Sequence, residues 1–136
     1  MTTKKERVVV TGMGIASPLG CTIKEFWDGL IAGRSGVRSL EGGIYSGMHT
    51  KIGGVVWDFD IKEIRRMSRS SQLGMVAAEQ AIADAKLEDG NVNREEIGVM
   101  VGSSIGGYSA ADSYLINFYK SDRLSPYPIP VSMNIG

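Results

Sequence analysis

A length of 136 residues suits one ordinary domain or part of a larger one, and 43% hydrophobic against 22% charged residues excludes a disordered chain. Fifteen Lys and Arg balance fifteen Asp and Glu, so binding of nucleic acid through bulk charge is not expected. A single cysteine excludes an intrachain disulfide framework, no apolar run is long enough for a membrane helix, and residues 1–7 lack the apolar stretch of a secretory signal. A cytoplasmic α/β protein with no membrane or nucleic-acid partner is the expectation.

Arg7-Val8-Val9-Val10-Thr11, closed by Gly12, is a β-branched run that predicts a buried strand. After the turn Gly12-Met13-Gly14, Thr22 and Glu25 have the spacing of a capping box. Ile23, Phe26, Trp27, Leu30 and Ile31 then recur as the stripe of an amphipathic helix, and Gly33 is placed to end it. Residues 35–48 are rich in glycine without periodicity and are read as loop; residues 52–57 could form a short strand weakened by Gly53 and Gly54. A second helix is predicted over residues 70–86, Ala-rich and apolar on more than one face, so it should pack closely against several elements. Residues 97–102 predict a second buried strand, followed by the turn Ser103-Ser104-Ile105-Gly106-Gly107 and a helix over residues 108–120. The three prolines between 126 and 130 exclude helix and central strand there. Two firm strands and a weak one cannot complete a doubly covered parallel sheet, so residues 1–136 are expected to be an incomplete, opening portion of a larger domain.

The chemical motifs are sparse. Gly12-Met13-Gly14 between strand and helix has the start of a dinucleotide fingerprint, but Ser17-Pro18 stands where the third glycine belongs, which favours a structural turn. Residues 102–107 lack the Gly-Lys-Ser/Thr ending of a phosphate loop. Cys21 precedes a helix and His49 is the sole histidine, yet nothing in the spacing brings them together as nucleophile and base. Metal-ligand spacing is absent, and no cofactor is implied. Lys62, Arg65, Arg66 and Arg69 concentrate positive charge within eight residues, either as a solvated helix start or as a surface that steers an acidic partner.

Residues 7–20, Ala32-Gly33-Arg34-Ser35-Gly36, Arg66-Met67, residues 97–107 and residues 124–130 together closely resemble the opening of the discrete β-ketoacyl-[acyl carrier protein] synthases, nearer to the synthase II type. The resemblance implies part of a thiolase-type fold, the start of its first βαβαβ half, in an enzyme that is usually a homodimer. It implies an acyltransferase that elongates fatty acyl chains by decarboxylative Claisen condensation from acyl and malonyl thioesters. Lys62, Arg65 and Arg66 match positions that meet the acidic acyl carrier protein, which tips the basic run toward docking. Ile105 matches a wall of the acyl pocket, and a bulky aliphatic there is the synthase II hint. Ile129, Ser132 and Met133 match a segment that closes the partner's pocket, although Pro128 and Asn134-Ile135 depart from the family pattern. No catalytic residue is expected here, because the family's nucleophilic Cys, two His and Lys have no counterpart in the chain and Cys21 is not at the nucleophile position. The alternative is a non-catalytic interaction fragment that pairs with a synthase subunit.

Overall fold

The computed structural model describes residues 6–56, 67–87 and 92–121. Lys62, Arg65, Arg66, Ile129, Ser132 and Met133, together with the proline-rich stretch, lie outside the described residues. The described order is α1 (Ile23–Ile31), β1 (Val37–Ser39), a short 3-10 turn (Gly43–Gly47), β2 (Ile52–Gly54), α2 (Arg69–Asp84), a second 3-10 turn (Arg94–Glu96) and α3 (Tyr108–Ser121). Among the described residues no helix is long and apolar enough to cross a membrane.

The helices follow local chemistry. Thr22 caps α1, its Oγ1 accepting the Glu25 N–H at 3.2 Å, a bond of the kind that contributes about 1 kcal/mol. The Glu25 carboxylate reaches back one residue further than a standard capping box and accepts from the Cys21 N–H at 3.1 Å. Gly33 follows the helix at φ 63°, the left-handed conformation that a glycine adopts without a Cβ clash. Ser68 caps α2 by accepting from the Ser71 N–H, and the helix ends at Ala85 with Lys86 at φ 56°. The three helices therefore start and stop within two residues of the sequence expectation.

The strands do not. Residues 35–48, expected as loop, contain β1, which pairs antiparallel with β2 in the register Val37 with Gly54 and Ser39 with Ile52. The glycines that weakened β2 as a sequence signal are places of close approach: Gly53 lies under Leu40, and Gly54 under the ring of Pro18. Conversely, residues 7–11 and 97–102, expected as buried strands, form no ladder among the described residues, and Val8 and Met100 are each 98% exposed. A strand exists through the partners that take its amides and carbonyls, and neither run has such a partner among the described residues. The sheet among the described residues is β1–β2 alone. Their buried apolar side chains are Leu40, over β2, and Ala111, on α3, so the core is slight and most of the α1 stripe (Trp27, Leu30 and Ile31) faces outward.

Candidate functional site

The first glycine turn is fastened to α2. A Cβ on Gly14 would collide with the Ala77 carbonyl, and one on Gly12 with the Ala81 carbonyl, so the loop lies directly on the small-residue face of the helix. Two polar side chains on that face hold it. Gln80 accepts from the Ile15 N–H at 3.2 Å and donates to the carbonyls of Ile15 (3.2 Å) and Cys21 (2.7 Å). Asp84 accepts from the Met13 N–H at 3.0 Å. Further along, Ser17 and Gly20 exchange backbone bonds at 3.1 Å, and Ser17 Oγ takes the Leu19 N–H at 3.2 Å.

These bonds weigh against a dinucleotide site. A pyrophosphate cradle needs free backbone N–H groups, yet those of Met13, Ile15, Ser17, Leu19, Gly20 and Cys21 already donate to protein acceptors. The turn is a structural clamp. Gln80 and Asp84 carry no motif of their own; their only sequence signal is a polar pair four residues apart on a helix otherwise small and apolar between them.

Cys21 and His49 stay apart. Cys21 is half-buried and lines a cavity of about 400 Å³ with Pro18, Glu25, Arg34, Arg38 and Val55, a set that does not include His49, which is exposed before β2. No three His, Cys, Asp or Glu side chains gather as a metal-holding group among the described residues. An apolar groove of about 670 Å³ is bounded by Met13, Ile15, Ile23, Phe26, Trp27 and Ala81, beneath the turn.

Of the basic run, Arg69 is described, and its guanidinium is engaged in holding the fold. It donates to the Val56 carbonyl at 2.8 Å and to Gln72 Oε1 at 3.4 Å, tying the chain after β2 to the first turn of α2. Ile105 sits in the second glycine turn, 69% exposed, an aliphatic side chain packed into no core of the described residues. The turn leads into α3, whose Ala111 N–H bonds the Gly107 carbonyl at 3.1 Å. Gly107 itself is buried at φ 77°, and its N–H donates to Ser70 Oγ on α2 at 3.1 Å. Sequence reasoning placed Ile105 in a turn but missed the serine that holds the turn's end.

The arrangement therefore clamps two loops onto one helix and presents an aliphatic residue on one of them. Comparison with known proteins adds what geometry lacks. The family described as "Beta-ketoacyl synthase, N-terminal domain" matches residues 5–135. The 3-oxoacyl-[acyl-carrier-protein] synthase 2 of Synechocystis sp. is 40% identical over 136 residues, covering 94% of this chain and 33% of the relative. That of Vibrio cholerae is 41% identical over 134 residues, covering 93% and 32%. Among solved structures, the ishigamide ketosynthase/chain length factor superposes with a TM-score of 0.72 at 24% identity, over 93% of this chain and 33% of that one, a likeness of fold. A type II PKS acyl-carrier protein in complex with its ketosynthase bound to the hexaketide gives 0.69 at 29% identity, over 94% and 30%. The chain thus spans about a third of the length of the relatives it matches, and its α/β architecture is the matching part of a ketosynthase, thiolase-like fold.

Proposed function

Because the chain belongs to the β-ketoacyl synthase family, matching its N-terminal domain, we propose that it is the opening segment of a 3-oxoacyl-[acyl carrier protein] synthase that elongates fatty acyl chains. In this reading an acyl group passes to a Cys thiolate elsewhere in the enzyme, and malonyl-carrier loses carbon dioxide. The resulting carbanion attacks the acyl thioester and expels the thiolate. Covalent catalysis divides the condensation into easier steps. The segment supplies scaffold, acyl-pocket wall and carrier docking in a cytoplasmic homodimer. The observation that carries the reading is the match over residues 5–135 to a family whose similar members are named synthase 2.

Ile105 is assigned to the acyl-pocket wall, with Ile129, Ser132 and Met133 contributing to the pocket across the dimer. The support for Ile105 is its aliphatic side chain, exposed on a turn that is anchored at Gly107. In the complete enzyme, Ile105→Phe is expected to lower kcat/KM for long acyl primers at least about tenfold, a barrier change of ~1.4 kcal/mol, while sparing short ones. A residue of the protein core would instead lose ~1–3 kcal/mol of stability through overpacking, whatever the primer. Primer series measured beside the melting temperature separate the two; an unchanged ratio in a stable variant removes Ile105 from the pocket.

Lys62, Arg65 and Arg66 are assigned to carrier docking. Individual exposed charge contacts contribute roughly 0–1 kcal/mol, so the informative variant reverses all three to Glu. Its association rate with the carrier should fall about tenfold or more, and raised salt should reproduce part of the loss in the unmodified enzyme. Association rates indifferent to both the variant and salt return the three residues to a solvated face.

A further inference from the structure

The geometry points to Ser70 as a positioning residue for acyl-chain selection: its hydroxyl anchors the turn that carries Ile105, through the Gly107 amide. The inference rests on the pocket-wall reading of Ile105 and extends it to a residue on a different element, whose bond to Gly107 spans 37 positions of the chain.

Ser70 is well suited to hold a fixed point. Its Oγ accepts the Gly107 N–H at 3.1 Å and lies 2.9 Å from Ser68 Oγ, which in turn lies 2.9 Å from Ser71 Oγ. Ser68 and Ser71 are 4% and 3% exposed, so their hydroxyls have little access to water as an alternative partner. Three hydroxyls joined in a row restrict one another's rotation, and the last of them presents its oxygen to the turn. Gly107 is buried on the receiving side, and its positive φ makes it the point where the chain reverses into α3. Ile105 is two residues upstream, with no burial of its own to fix it. The direction of its side chain therefore depends on the tether.

Ser70 is not required for the helix to begin. Ser68 is the residue that caps α2, accepting from the Ser71 N–H, so Ser70→Ala leaves that cap in place. The substitution removes the acceptor of the Gly107 amide and the Ser68–Ser70 hydroxyl contact, while the Ser68 cap bond to the Ser71 N–H remains. A brace that only stabilised the fold would show in the melting temperature alone. A positioning residue shows in the discrimination between primers.

The test measures kcat/KM for a short and a long acyl primer in the complete enzyme and in its Ser70→Ala, Ser70→Thr and Ile105→Phe variants, with amide exchange followed at Gly107. In Ser70→Ala the Gly107 amide should exchange faster and the long-to-short ratio should move toward one by about threefold to tenfold, the range that one hydrogen bond can supply. Ser70→Thr keeps an acceptor oxygen and should restore both. If Ile105→Phe shifts the ratio and Ser70→Ala does not, the pocket reading stands and the positioning role is overturned. If Ile105→Phe leaves the ratio unchanged in a stable enzyme, the pocket reading falls and takes the positioning role with it. The unmutated enzyme gives a further check: a Gly107 amide that exchanges as fast as those of exposed Ser104 and Ile105 refutes the tether without any variant.

Discussion

The purified 136-residue chain, supplied with acyl- and malonyl-carrier substrates, is expected to release no carbon dioxide and form no ketoacyl product. Removing the nucleophile of a covalent mechanism costs on the order of a millionfold in rate, and the chain lacks every group that the family resemblance assigns to the chemistry. The thiol it does contain is poorly placed to substitute. Cys21 has its amide donating to Glu25 and its carbonyl accepting from Gln80, and the cavity it lines contains no imidazole to take its proton. Radiolabelled malonyl-carrier decarboxylation against a buffer blank is the measurement. Turnover well above the blank, lost on Cys21→Ala, would reinstate Cys21 as a nucleophile and overturn the scaffold role. Carrier binding without turnover agrees with it.

The second large effect belongs to Gly14. Substituting Val there drives a branched side chain into the Ala77 carbonyl, with the Gln80 Cβ only 2.8 Å from where the new Cβ would stand. Backbone cannot give way as a flexible side chain can, so the loop must lift off α2. Lifting it breaks the two bonds between Gln80 and Ile15. Overpacking of ~1–3 kcal/mol adds to ~0.5–1.5 kcal/mol for each of the two bonds lost, so the complete enzyme should be destabilised by roughly 2–6 kcal/mol or fail to accumulate. Gly74 is the matched control, since it lies inside α2 with nothing within 4 Å of its would-be Cβ. Ala at Gly74 should stabilise by ~0.5–1 kcal/mol through helix propensity. Denaturant unfolding of both variants reads the contrast; equal effects would mean that the loop does not rest on the helix.

What was legible in the sequence was what is decided locally. Thr22 before an apolar stripe and Gly33 after it give α1 its ends, because caps act within a turn of the residues that form them. The strands failed for the opposite reason. β1 and β2 are three residues each, too short for an alternating pattern, and their pairing depends on Pro18 and Leu40 lying over glycines elsewhere in the chain. The valine run at 8–10 has every intrinsic mark of a strand, but its ladder depends on a neighbour that no local pattern encodes. The candidate site divides the same way. Ile105 was legible as a turn residue, and its assignment to a pocket wall comes from resemblance alone. Ser70, Gln80 and Asp84 act by side-chain bonds to backbone 37 to 71 residues away, which leave no periodic trace.

The two uncovered runs, residues 8–10 and 99–101, also bear on how such a chain survives its own synthesis. At roughly 5–20 residues per second, a protein as long as the relatives would spend on the order of tens of seconds with this third emerged and the rest unmade. During that interval Val8-Val9-Val10 and Val99-Met100-Val101 stand as ready templates for aggregation with other nascent chains. Each is preceded by charge: Lys4, Lys5, Glu6 and Arg7 before the first, Arg94, Glu95 and Glu96 before the second. Mixed charge beside an unavoidable apolar run acts as a gatekeeper, repelling stacked copies while leaving a correct partner strand free to pair.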